Sequence, residues 1–351
     1  MALRRVGIIG SGNWGSTIAK IVGTNVHLLN NFQKEVRMWV YEEEVDGKKL
    51  TAIINDQHEN VRYLPGIKLP TNVVATPDLC YAAQDADVLI FVMPHQFLQR
   101  ACTQIKSVLK PGAYGVSLIK GLALSNEKGI RLLTDLIRDE LQIPCGVIMG
   151  ANLASEVSLE NYCEATIGAK DLAIGRELKM LFQTSYFRMT IIKDEVGAEL
   201  CGALKNIVAV GAGIIEGLGF GDNTKAAVIR LGFMEMKSFI YQFFGDRDPQ
   251  EGTFLESCGV ADLITTCYGG RNKRMGIALA TSNKSLQELE KEQLDGQSAQ
   301  GPLTASEVYV MLERLKLLDR YPLFTAVHRI CTRELPATGF VKCLEDHPSH
   351  M

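Results

Sequence analysis

Lys205 and Asn206 interrupt a stretch from Cys201 to Ile215 that is otherwise apolar. A polar pair in such a stretch must find partners or face a cleft. The plainer alternative is a lysine snorkelling its amine to water at a helix edge. Lys120 ends a second apolar run, beginning at Tyr114, where it is either solvated or turned toward a ligand. Asp262 stands in Gly259-Val260-Ala261-Asp262-Leu263-Ile264 and serves there as a helix cap, an ion-pair partner or a site residue. Cys267-Tyr268-Gly269-Gly270-Arg271-Asn272-Lys273-Arg274 is a different signal. Two glycines followed by Arg and Asn offer a backbone nest and a bidentate guanidinium, which suit a phosphate. Its bland alternative is a solvated basic loop.

A second anion-directed motif opens the chain. Val6-Gly7-Ile8-Ile9 runs straight into Gly10-Ser11-Gly12-Asn13-Trp14-Gly15, a G-x-G-x-x-G fingerprint. Gly10 permits the tight turn, Gly12 lets the backbone approach a pyrophosphate, and Gly15 lets the next helix pack on the strand. The following Ser16–Val22 reads as a helix whose N-terminus offers N–H groups and partial positive charge. Dinucleotide binding is the expectation.

Other chemistries lack a pattern. His58 has no second metal ligand near it, and no G-x-S-x-G elbow occurs. His347 and His350 sit in a Pro-containing tail and are expected to be solvated.

These residues need elements to hold them. Apolar runs at Val36–Tyr41, Val73–Thr76, Asp87–Met93, Tyr114–Lys120 and Gly146–Asn152 alternate with helical stretches. That pattern predicts a parallel sheet buried on both faces, with ligands beyond the strands' C-terminal ends. Further strands are expected at Thr166–Ile167 and Tyr186–Ile192. From Asp194 the pattern becomes helical, with Leu200, Leu204, Ile207, Val208 and Gly211 on one face. Asp222-Asn223-Thr224 is expected to cap a helix through Met236. Ser285/Glu288 and Thr304/Glu307 have capping-box spacing. The fold class is therefore α/β: a Rossmann-type dinucleotide-binding domain over residues 1–192, then a mainly α-helical substrate domain over residues 193–351.

The 351 residues suit about two domains. With 46% hydrophobic and 22% charged residues the chain can bury a large core. A net charge of −3 argues against a nucleic-acid or membrane-surface partner. Nine scattered cysteines with no C-x-x-C pair favour reduced thiols in a reducing compartment. No targeting segment is legible, and the apolar stretch Ile207–Ile215 is too short to span a bilayer.

Longer motifs carry a resemblance. Leu200–Gly213 (LCGALKNIVAVGAG) is similar to the signature of NAD-dependent glycerol-3-phosphate dehydrogenases. So are GSGNWG at Gly10–Gly15, PHQF at Pro94–Phe97, SLIKG at Ser117–Gly121 and MGAN at Met149–Asn152. GDNTKAA at Gly221–Ala227 and TTCYGGRN at Thr265–Asn272 complete the family order over essentially the whole chain, nearest to the animal cytosolic type. The resemblance implies interconversion of sn-glycerol 3-phosphate and dihydroxyacetone phosphate with NAD, by a cytoplasmic homodimer. Lys205 would exchange the proton at the substrate's C2 oxygen, assisted by Lys120 and Asp262. Lys120, Asn206, Thr266, Arg271 and Asn272 would hold the substrate, chiefly its phosphate. Gly10, Ser11, Gly12, Asn13, Trp14, Gly15, Tyr41, Phe97, Ala154, Arg271 and Gln300 would hold the dinucleotide. The family usually has Phe at the Tyr41 position. Ser298 departs further, replacing a Lys expected to reach the cofactor.

A lysine base needs its pKa brought down from about 10.4. Lys120 as a neighbouring cation, with partial burial, is expected to do this, while Asp262 opposes it. NAD rather than NADP is expected, because the second strand ends in Tyr41-Glu42-Glu43-Glu44, which repels a 2′-phosphate. Two other classes fit part of the pattern. One is a Rossmann-type dehydrogenase of another small hydroxy acid, and the other a non-catalytic NAD-sensing protein.

Overall fold

Val6, Ile8 and Ile9 are fully buried, as an apolar run ahead of a glycine fingerprint requires. They form β1 (Arg4–Ile9), the strand around which the first of two units is laid. The computed structural model describes residues 3–125, 129–294 and 299–350. Residues 1–119 and 132–195 make the first unit, and residues 120–131 and 196–351 the second.

In the first unit the remaining strands are β2 (Phe32–Trp39), the short pair β3 (Glu44–Val45) and β4 (Lys48–Lys49), β5 (Val73–Thr76), β6 (Val88–Phe91) and β7 (Tyr114–Ser117). The second unit holds the ribbon β8 (Ala123–Ser125) and β9 (Gly129–Arg131). The chain then returns through β10 (Cys145–Met149), β11 (Cys163–Gly168) and β12 (Phe187–Ile192). Eight of these strands form one sheet in the order β12-β11-β10-β7-β6-β1-β2-β5. In register, Val6 faces Val36 and Val88, and Ile8 faces Met38 and Ile90. The connecting helices are α1 (Asn13–Leu28), α2 (Leu50–Gln57), α3 (Leu79–Ala83), α4 (Leu98–Ile105), α5 (Leu133–Leu141), α6 (Ala154–Ser158) and α7 (Leu172–Phe182).

The sheet is not wholly parallel: β10 and β11 pair antiparallel, Ile148 opposite Ile167. The helix between them, α6, has five residues. At 1.5 Å per residue it spans roughly 7.5 Å, too short to carry the chain back along a strand. The reversal is therefore written in the connection, not in the strands' composition. The other strands expected are present, most of them a few residues shorter or shifted.

The second unit is mainly helical: α8 (Glu195–Gly217), α9 (Asp222–Phe244), α10 (Asp262–Tyr268), α11 (Gly270–Thr281), α12 (Leu286–Gln293), α13 (Gln300–Arg314) and α14 (Pro322–Cys331). Glu195 itself packs with the first unit. By length and composition α8 could cross a membrane, but it is buried inside the protein. The α9 helix outruns its expected end at Met236, because Phe239, Ile240 and Phe244 continue its buried face. Its N-cap is Gly221 and no side chain caps it. Ser285 and Glu288 do form the reciprocal capping box of α12. Thr304 and Glu307 do not cap: they lie inside α13, which starts four residues before Thr304.

The tail reading of His347 is corrected. Its ring is 1% exposed, and Nε2 lies 3.1 Å from Oε1 of Glu235, itself buried. Ser349 donates its N–H to Nδ1 at 3.0 Å, so the ring proton sits on Nε2 and points at the carboxylate. Glu235 also accepts the N–H groups of Leu323 at 2.7 Å and Phe324 at 2.9 Å, in the first turn of α14. Burial pushes its carboxyl pKa up, and these three donors oppose that. A buried carboxylate demands such donors, and the tail supplies one.

Candidate active site

The fingerprint turn is built by exclusion. Gly10 has φ 127°, and a Cβ there would sit 2.4 Å from the Val92 carbonyl oxygen. A Cβ on Gly15 would meet the Gly10 carbonyl oxygen at 2.4 Å. At Gly12, by contrast, no atom lies within 4 Å of that position, which leaves room for a ligand. Gly12 is the N-cap of α1, which has no side-chain cap and no acidic residue in its first turn. That end can therefore receive an anion.

Neighbours hold the turn. Ser11 turns its carbonyl to Ser16 Oγ at 3.0 Å and to Asn60 Nδ2 at 2.8 Å. Asn60 is fully buried, and its Nδ2 also donates to Ser16 Oγ. Asn60 was not legible from the sequence, since one Asn in a loop has no spacing to read. Asn13 and Ala154 both turn their carbonyls to Thr17 Oγ1, at 3.0 and 3.3 Å. Trp14 packs edge-on to Phe187 with centroids 6.0 Å apart. Tyr41 and Phe97 are 72% and 56% exposed, large rings left uncovered where a flat ligand could lie on them. In the acidic run, Glu42 accepts from the N–H and Oγ1 of Thr51, at 3.1 and 2.6 Å, in the first turn of α2. Glu43 accepts from the Tyr63 hydroxyl at 2.6 Å, and Glu44 is exposed in β3. The open Gly12 position, the uncapped helix end and the two bare rings fit a dinucleotide.

In the second unit, one carboxylate gathers two amines. Lys205 Nζ lies 2.5 Å from Asp262 Oδ1, and Lys120 Nζ lies 2.7 Å from Asp262 Oδ2. Lys205 also donates to Thr266 Oγ1, whose hydroxyl donates to the Asp262 carbonyl at 2.7 Å. Lys205 and Asp262 are buried, at 4% and 2% exposure. Asp262 is delivered by a π-turn, Ser257–Ala261. At its centre, a Cβ on Gly259 would lie 2.2 Å from the Phe254 carbonyl oxygen. Burial lowers the Lys205 pKa from 10.5 to about 7; the Lys120 charge adds to this, and Asp262 opposes it. Burial, rather than the neighbouring cation, is the larger cause.

The remaining site residues form a second network. Gly270, with φ 86°, starts α11 directly after Gly269, so Arg271 and Asn272 fall in the first turn of a helix. Arg271 is exposed and Asn272 buried. Asn272 Nδ2 donates to Asn206 Oδ1 at 2.8 Å, and Asn272 Oδ1 accepts the Gly301 N–H at 2.8 Å. Asn206 Nδ2 donates to the Gly202 carbonyl at 3.3 Å. Among the described residues, Gln300 Oε1 is buried without a hydrogen-bond partner. Ser298 lies outside the described residues.

Two family models match the chain. NAD-dependent glycerol-3-phosphate dehydrogenase N-terminus matches residues 5–174, and the corresponding C-terminus matches residues 194–342. The chain is 57% identical over 351 residues to the cytoplasmic NAD(+) glycerol-3-phosphate dehydrogenase of Homo sapiens, covering 100% of both. It is 56% identical over 344 residues to the enzyme of the same name from Drosophila ezoana, covering 98% of both. Among solved structures, glycerol-3-phosphate dehydrogenase from Saccharomyces cerevisiae superposes with a TM-score of 0.88 at 44% identity, covering 98% of this chain and 100% of that one.

Proposed function

The chain belongs to the NAD-dependent glycerol-3-phosphate dehydrogenase family, and from that premise we propose how its residues divide the work. It is a cytoplasmic oxidoreductase that interconverts sn-glycerol 3-phosphate and dihydroxyacetone phosphate with NAD. When bound, NAD supplies the two-electron chemistry by exchanging a hydride with the substrate's C2.

Lys205 exchanges the proton. The observation that carries this reading is a buried amine with pKa about 7, held by Asp262 and Thr266. A group that titrates near the working pH serves as base toward the alcohol and as acid toward the ketone. Asp262 and Thr266 aim the amine. Lys120, on the other oxygen of Asp262, keeps a positive charge beside the C2 oxygen as negative charge develops there.

Arg271 and Asn272 hold the phosphate at the first turn of α11, where helix N–H groups and a guanidinium both favour an anion. Asn206 and Asn272 each commit one amide N–H within the protein. Each amide carries a second N–H that can serve the substrate. Gly10–Gly15, Tyr41, Phe97, Ala154, Arg271 and Gln300 are assigned to the dinucleotide. Homodimer formation is proposed from the family resemblance, and sedimentation would reveal a monomer if it is wrong.

The test follows NADH absorbance with dihydroxyacetone phosphate as oxidant, for the parent and for Lys205→Met. The parent turns over, and the variant binds NADH without turnover. A folded Lys205→Met with near-normal turnover removes Lys205 from the proton step.

A further inference from the structure

The second unit contains a charged cluster that the reaction, as derived above, leaves unused. Glu216 lies 11 residues after Lys205 on α8, three helical turns on and so on nearly the same face. Its Oε2 lies 2.7 Å from Lys225 Nζ on α9, and its Oε1 lies 2.8 Å from Lys273 Nζ on α11. The Lys225 amine also sits 4.4 Å from the ring centroid of Tyr268. Tyr268 and Lys273 are the residues immediately before and after Gly269-Gly270-Arg271-Asn272. The carboxylate thus holds the Lys273 flank directly and the Tyr268 flank through Lys225, and Lys273 Nζ also donates to the Tyr268 carbonyl at 3.4 Å.

Beside this grip α8 and α11 cross with almost no side chain between them. A Cβ on Gly213 would lie 2.1 Å from the Lys273 carbonyl oxygen, and one on Gly276 would lie 2.1 Å from the Val210 carbonyl oxygen. A Cβ on Gly217 would meet Ala280 Cβ at 2.8 Å. Asn206, Val210, Gly213 and Gly217 follow each other at helical spacing, one stripe along α8. The stripe begins at the Asn206–Asn272 hydrogen bond and ends beside Glu216. The helix carrying Lys205 and the helix carrying Arg271 are therefore locked at contact distance.

We propose that Glu216, with the Gly213–Gly276 crossing, is a positioning device that fixes the phosphate-holding turn at a set distance from Lys205 and so selects a three-carbon phosphorylated substrate. This rests on the roles given above to Lys205 and Arg271. The carboxylate ties Lys273 directly and Tyr268 through Lys225, and the glycines let the two helices pack backbone to backbone. A substrate with its phosphate in that turn then presents C2 to the amine. A substrate without phosphate makes no use of the device.

The experiment compares Glu216→Gln with the parent on dihydroxyacetone phosphate and on unphosphorylated dihydroxyacetone. Glu216 is half-exposed, so the variant keeps its fold, which circular dichroism and NADH binding verify. A small misplacement of bound substrate costs up to about 100-fold, so kcat/KM for the phosphorylated substrate should fall about 10-fold. Activity on dihydroxyacetone should change less than about 2-fold. Equal losses on both substrates, or no loss on either, overturn the proposal. Arg271→Ala is measured in parallel. If it fails to discriminate the two substrates, the phosphate reading itself falls. If it discriminates and Glu216→Gln does not, only the positioning role falls.

Discussion

Lys205 Nζ lies 2.5 Å from Asp262 Oδ1, yet its pKa is about 7. The ion pair does not rescue the charge, because taking an ammonium out of water costs more than one shared carboxylate returns. Asp262 also divides itself between two amines. The expected pH profiles follow. Alcohol oxidation needs neutral Lys205 and should rise through an inflection near pH 7 in kcat/KM. Ketone reduction needs the protonated form and should decline through the same inflection. Asp262→Asn removes the group that raises this pKa, so its residual inflection should move to lower pH. Profiles that coincide in the two directions would contradict the assignment.

Lys205→Met should abolish turnover, with about 10²–10⁴-fold lost for the proton transfer alone. It should also change stability in a pH-dependent way. In the parent, Lys205 has a folded pKa near 7 and an unfolded value of 10.5. The native state is therefore burdened by the charge below pH 7 and relieved as pH rises through that window. Methionine carries no such burden, and Asp262 keeps Lys120. The variant should gain a few kcal/mol over the parent at pH 6, the difference closing toward pH 10. Denaturant melts at several pH values read this, and a constant offset would contradict it.

Arg271→Ala should raise the KM for dihydroxyacetone phosphate and also lower kcat. Losing a charge-assisted contact removes about 1.5–3 kcal/mol. Part of that loss appears in kcat, because phosphate binding positions the distant carbon. Steady-state kinetics with and without the phosphate group check this. A loss equal for both substrates would show that Arg271 does not read the phosphate.

Glu235→Ala should destabilise the second unit by at least about 3 kcal/mol, since it strands three buried donors of α14 and the tail at about 1–3 kcal/mol each. His347→Ala removes one of the three donors and should cost less, about 1–3 kcal/mol. Thermal melts should place the two in that order. Reversal of the order would mean that the tail, not the helix end, holds Glu235.

Residues placed by local pattern were legible in the sequence. The fingerprint turn shows in its glycine spacing, and Gly10 and Gly15 are crowded as that spacing requires. Lys205 showed because a charge breaks an apolar helix. The depth of its burial did not show, since burial depends on elements far along the chain. His347 and Asn60 were misread or missed for the same reason. Each answers a polar group more than forty residues away, Glu235 and Ser11 respectively. The antiparallel pair β10–β11 was hidden because strand composition does not record direction.

The residues 120–131 leave the sheet-bearing unit and pack with the helical one before the chain returns. The catalytic unit is therefore not a contiguous piece of polypeptide. Lys120 leaves the ribosome 142 residues ahead of Asp262, a delay of roughly 7–30 s at cellular synthesis rates. For that interval Lys120 has been made and Asp262 has not. A single cut near residue 195 would leave the two partners on different fragments. Any exchange of the two halves between relatives must carry residues 120–131 with the helices they serve.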